Sequence, residues 1–126
     1  LQVICPERIF YEGEVSMVEF NTTEGEVGIY PKHIPLTSIL APGILTITEE
    51  DGLKNAALHS GFVQILPEKV TVMAEAAEWP HEIDLGRAEA ARDRAEERIK
   101  NRSDKTDIAR AETALQRAIA RINVIK

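Results

Sequence analysis

Cysteine is almost missing from this chain. Cys5 stands alone among 126 residues, so no internal disulfide can form and a reducing compartment is the expected setting. No apolar run reaches the roughly 18 residues that a bilayer-crossing helix needs. No basic stretch followed by an apolar core opens the sequence, so no secretory leader is expected. Glycine and proline desert the C-terminal third: of seven Gly and six Pro, Gly86 alone lies beyond Pro80. Aromatics desert it entirely, because all six lie before Pro80. Positive charge is scarce in the other part. Residues 1–83 hold four Lys/Arg against thirteen Asp/Glu, whereas residues 84–126 hold eleven against eight. The net charge of −6 argues against general nucleic-acid binding. An acidic body carrying a basic tail suggests two surfaces with different partners.

Turn-forming, aromatic and β-branched residues fill the first part, and the expected fold over residues 1–80 is an antiparallel β-sandwich, with a flattened barrel as the alternative. The predicted strands are 2–5, 8–12, 15–20, 27–30, 44–48, 54–60, 62–66 and 69–75. Alternation is plainest where Val70, Val72 and Ala74 intersperse with Thr71, Met73 and Glu75. Asp51-Gly52 is a hairpin signal. Residues 81–126 read as two helices, rich in alanine and long charged side chains. Asp84 is the expected N-cap of the first, with an acceptor role toward a nucleobase amino group as the alternative. Its apolar stripe is Ala88, Ala91, Ala95 and Ile99. The second helix carries Ile108, Ala111, Leu115, Ala118 and Ile122, and Ser103 or Asp104 is its expected cap. A stripe of alanines buries little area, so the helix pair should be marginal alone and able to leave its docking site. Gly86 costs a helix about 1 kcal/mol against Ala and reads as a frayed first turn or a close approach.

No enzyme signature is present. His33, His59 and His81 fall in a loop, a strand and a linker without metal-binding or catalytic spacing, and no catalytic or metal-ligating residue is expected. The arginines are more informative. Residues seven apart on a helix lie within about 20° of each other, so Arg87 and Arg94 share a line, and Arg117 and Arg121 share another at i, i+4. If the two helices fold back on each other, all four guanidinium groups fall within about 10 Å along the axis. Spacing leaves two roles open. Glu89, Asp93, Glu96, Glu97 and Glu112 could pair with such arginines along solvated faces, the commoner arrangement. Alternatively, a polyanion could sit between the helices and accept paired guanidinium hydrogen bonds. The segment TEGEVGIYPKHIPL at 23–36 is either turn construction or a protein-contact loop.

The stretches EGEVGIYPKHIPL, HSGFVQILPEKVTVMAEAAE (59–78) and IDLGRAEAARDRAEERIKNRSDKTDIARAETALQRAIARI, in that order, resemble the epsilon subunit of bacterial F-type ATP synthases. The resemblance covers nearly the whole chain. It implies a sandwich of about ten strands followed by an αα-hairpin. It also implies a non-catalytic rotor subunit that binds the gamma subunit and the c-ring and restrains ATP hydrolysis. The family's tail changes between a compact hairpin on the sandwich and an extended form that reaches catalytic beta (and alpha) subunits. The implied location is peripheral, on the cytoplasmic face of the bacterial plasma membrane.

Some members bind ATP in the compact form through a motif of the type Ile/Leu-Asp-x-x-Arg-Ala, which stands here as Ile83, Asp84, Leu85, Gly86, Arg87 and Ala88. By resemblance Glu78 and Asp84 would lie near adenine, and Arg87, Arg94, Arg117 and Arg121 near the phosphates. Gly86 departs from the larger residue common in the family and is expected to weaken affinity. ATP would then act as a regulatory ligand favouring the compact state. Without it, repulsion among the arginines would go unrelieved. Glu26 and His33 are the expected rotor-contact residues. The alternatives are a rotor subunit with a purely mechanical tail, and a stand-alone sandwich with a helical interaction tail.

Overall fold

The computed structural model describes residues 1–29, 35–101 and 108–126. Among them are ten strands: β1 (Gln2–Cys5), β2 (Arg8–Glu12), β3 (Met17–Thr22), β4 (Gly25–Ile29), β5 (Leu36–Leu40), β6 (Gly43–Glu49), β7 (Gly52–Leu58), β8 (Gly61–Ile65), β9 (Val70–Ala74) and β10 (Ala77–Glu78). They form one continuous sheet in the order β10-β7-β6-β3-β5-β8-β9-β1-β2, with β4 on β3, folded over into a sandwich that is nearly a barrel. Every pairing is antiparallel except β1 with β9. The core follows from alternation: Val3, Val18, Phe20, Leu45, Ile47, Leu58, Val63 and Val72 point inward and are almost fully buried.

Three strand expectations change. Leu36–Leu40 and Ala77–Glu78 are strands that the pattern did not announce, because Leu36 and Ile39 are exposed and β10 is only two residues long. The strand expected over 54–60 ends at Leu58, so His59 lies in the connection to β8, where its N–H donates to the Ala76 carbonyl (3.0 Å). Elsewhere boundaries shift by a few residues. The β6–β7 hairpin does turn in this segment, through Glu50-Asp51, and Gly52, the first residue of β7, has φ 151°. Tyr30, His33, Ser103 and Asp104 lie outside the described residues.

Two helices follow: α1 (Leu85–Lys100) and α2 (Ile108–Ile125). A single 3₁₀ turn, Pro80–Glu82, joins the sheet to α1 and contains His81. Asp84 caps α1 as expected, its carboxylate accepting from the Arg87 N–H at 3.1 Å. Gly86 has no close neighbour to demand it; an added Cβ would meet only the Asp84 carboxylate, at 3.4 Å. Ala88 and Ala95 of α1, and Ala111, Ala118, Ala120 and Ile122 of α2, are buried. The α1 helix packs on α2, and α2 packs on β6 and β7, so the tail is compact. Ala57 shows how the sheet receives it. On β7, Ala56 and Leu58 face the sandwich core, while Ala57 faces the other way and is still fully buried. Its partner across the β7–β10 ladder is Glu78.

Gly61 is fixed by close packing of β8 on β9, where a Cβ would collide with the Met73 carbonyl oxygen. Gly61→Ala is therefore expected to lower sandwich stability by about 2 kcal/mol in urea unfolding, whereas Gly86→Ala should raise helix stability by about 1 kcal/mol.

Candidate functional site

Where the 3₁₀ turn meets the two helices, the chain encloses a cleft of about 530 Å³. Its walls include Glu78 from β10, Ile83 and Asp84 from the connection, Arg87, Ala88 and Arg94 from α1, and Arg121 from α2. Seven of the eight residues expected at a nucleotide site thus share one cavity. Arg117, the eighth, is not among the lining residues; its guanidinium donates to Glu75 at 2.7 Å instead. Glu82 also lines the cleft and was not anticipated. It accepts from Arg8 (2.9 Å) and from the Trp79 N–H (3.0 Å), tying the 3₁₀ turn to β2. Phe10 stacks on Trp79, centroids 4.3 Å apart, so the chain entering the 3₁₀ turn is anchored to the sandwich core.

The electrostatics differ from the expected pattern of helix-surface pairs. Of the acids proposed as local partners, only Asp93 forms a described ion pair, with Arg92 at 3.2 Å. The α2 arginines instead reach across to the sandwich. Arg121 Nε donates to Glu78 Oε1 at 2.7 Å, and the same oxygen contacts His59 Nε2 at 2.8 Å. Burial works to raise the Glu78 pKa, but hydrogen bonds from Arg121 and His59 outweigh it and hold the carboxyl below its ordinary value. Arg87 and Arg94 line the cleft with no ion pair among the described residues. The expectation of four mutually repelling arginines is therefore corrected: Glu75 and Glu78 already neutralise the two on α2.

Chemically, the cleft offers cationic donors on one wall and acceptors on the other. Among the described residues Glu78 Oε2 has no hydrogen-bond partner, and Asp84 uses Oδ1 alone. No group of three or more His, Cys, Asp or Glu among the described residues is placed to hold a metal ion. No helix of the described residues is long and apolar enough to cross a membrane.

A second surface lies on the far side of the sheet. In-register neighbours Ile39, Phe62, Met73, Ile4 and Ile9 form one row across β5, β8, β9, β1 and β2. Ile39 is 63% exposed, Phe62 45% and Ile9 57%, which makes the row an apolar strip open to solvent. Glu26, expected as a contact residue, is exposed on β4, away from this row; His33 is outside the described residues.

A ten-stranded sandwich carrying a docked helical hairpin is the architecture of ATP synthase delta and epsilon chains. Residues 1–80 match the ATP synthase delta/epsilon chain β-sandwich domain, and residues 81–126 match the delta/epsilon chain long α-helix domain. The chain is 47% identical to the ATP synthase epsilon chain of Shouchella clausii, over all of its own length and 93% of that protein. It is 42% identical to the epsilon chain of Caldanaerobacter subterraneus subsp. tengcongensis, with 98% and 91% covered. A chain of the Euglena gracilis mitochondrial ATP synthase, solved with its OSCP, F1 and c-ring, shares the fold: TM-score 0.80, 24% identity, 91% of this chain and 73% of that one. The chain belongs to the ATP synthase epsilon chain family.

The two ion pairs that α2 makes with the sandwich should differ in strength. Arg117–Glu75 has side chains 36% and 64% exposed, so solvent screens it, whereas the Arg121–Glu78 side chains are 32% and 26% exposed and share a buried histidine. Arg121→Ala is expected to weaken tail docking by about 2 kcal/mol and Arg117→Ala by less than about 1 kcal/mol. Hydrogen exchange of the α2 amides measures both.

Proposed function

We propose that this chain is a regulatory, non-catalytic rotor subunit of a bacterial F-type ATP synthase, and that ATP binds in the cleft and favours the docked tail. The observation that carries the reading is the cleft itself, which draws cations from both helices and acceptors from the sheet edge and the α1 cap. Arg87 and Arg94 are the first phosphate partners. Arg121 joins them by turning from Glu78 or by bridging to it. Arg117 stabilises the docked tail through Glu75. Glu78 Oε2 and the Asp84 carboxylate accept from the adenine amino group, and Ile83 and Ala88 provide apolar contact beside the base.

A ligand that binds only the docked state stabilises it in proportion to its saturation, by about 2.7 kcal/mol at a hundred times the dissociation constant. Plentiful ATP then keeps the tail on the sandwich. When ATP falls, the basic tail is released toward the beta (and alpha) subunits, where it blocks hydrolysis. The sandwich remains on the gamma subunit and the c-ring, at the cytoplasmic face of the plasma membrane, touching the membrane only through the complex. The apolar strip from Ile39 to Ile9 suits the lasting gamma contact better than the polar segment around Glu26.

Calorimetric titration of the isolated chain with ATP, with and without Mg²⁺, tests this reading. Binding is expected, and Arg94→Ala should weaken it at least about tenfold, the loss of one charge-assisted contact. Arg117→Ala should weaken it less. No heat of binding at millimolar ATP would leave a rotor subunit with a mechanical tail. Failure to co-purify with gamma would remove the rotor assignment as well.

A further inference from the structure

His59 makes none of the proposed nucleotide contacts, yet it sits under the joint between tail and sandwich. It is 1% exposed. Its Nε2 shares Glu78 Oε1 with Arg121, and Arg117 lies close enough to act on it electrostatically. Its second ring nitrogen, Nδ1, is buried with no hydrogen-bond partner among the described residues. Glu78 on β10 and the two arginines on α2 are thus the charged groups that face this ring among the described residues.

In the neutral tautomer that fits, Nε2 carries the proton and donates to Glu78, while bare Nδ1 needs no acceptor. Protonation would place an N–H on Nδ1 where nothing receives it. It would also create a buried cation facing two guanidinium groups, on a carboxylate that Arg121 has already neutralised. Both effects oppose the proton while α2 is docked. Lifting α2 away removes both arginines and leaves Glu78 to His59 alone, an arrangement that favours the charged ring. We propose that His59 is a proton-operated latch: taking up a proton at this ring drives the helical tail off the sandwich.

The sign follows from the geometry. Burial first, and then Arg121 and Arg117, lower the docked-state pKa of His59 against the raising effect of Glu78. Docking is therefore strongest above the undocked pKa, where the ring is neutral in both states. It weakens as pH falls through that value, and the loss is complete below the lower docked value. Its consequence for ATP hydrolysis rests on the proposed function, in which acidification would reinforce inhibition; the latch itself does not depend on ATP binding.

The test uses the full chain without nucleotide. Energy transfer between probes on the exposed Gln64 and Ala114 reads tail docking from about pH 8 to about pH 5. The docked-to-released ratio should fall about tenfold in wild type and stay nearly flat in His59→Gln, whose amide still donates to Glu78. Ring ¹⁵N chemical shifts give a second reading that does not depend on that variant folding. The wild-type His59 midpoint should lie below about 6.5 and rise in Arg117→Gln. An equal pH response in wild type and His59→Gln, or a His59 midpoint that Arg117→Gln leaves unmoved, would overturn the proposal.

Discussion

Glu78 accepts from two directions at a single oxygen, Arg121 from the tail and His59 from beneath the sheet, and the docked arrangement depends on that joint. A carboxylate moved out of water loses hydration that only direct, charge-assisted hydrogen bonds restore. His59 supplies one of them from the sandwich, and Glu78 gains the other, from Arg121, only when α2 lies across β7. The β-ladder makes this possible: pairing Glu78 with Ala57 turns the carboxylate outward, onto the same face that receives the helix. The apolar floor and the ionic joint therefore share one register position, and a slip of one residue would lose both.

The rest of the tail is built lightly around this point. Buried α1 side chains are alanines, and those of α2 are three alanines and Ile122. Such surfaces permit close packing but release little free energy per residue. The hairpin thus depends on a small number of polar contacts, Arg121–Glu78 foremost and the screened Arg117–Glu75 second. That balance suits the release of the tail that the proposed function requires. A large apolar interface would hold the tail permanently, and a ligand or a proton could not shift it.

Much of this was legible in the chain. The loss of Gly, Pro and aromatics after Pro80 marked the change from sheet to helix, and Asp84 was readable as a cap. The spacing of Arg87, Arg94, Arg117 and Arg121 allowed a shared cationic wall but equally allowed pairing along solvated faces, and Arg117 does not line the cleft. The resemblance added Glu78, Ile83 and Ala88 to the same site. Other features were hidden for physical reasons. The β5 strand presents exposed Leu36 and Ile39, so its pattern lacks the buried alternation that identifies a strand. Arg117 and Arg121 were expected to repel each other or meet acids on their own helices, because helical spacing says nothing of partners over forty residues away. His59 was read as strand, and its place under Glu78 depends on the turn after Leu58, which only the folded sheet specifies.

The central claim is that one shared carboxylate couples the tail to the sandwich. A double-mutant cycle on Glu78→Gln and Arg121→Gln, with the docking equilibrium as readout, measures it most directly. The expected result is a coupling energy of about 1–2 kcal/mol, the double variant losing clearly less than the sum of the singles. Strictly additive losses would mean that the two side chains act independently, and the account of the joint would be wrong.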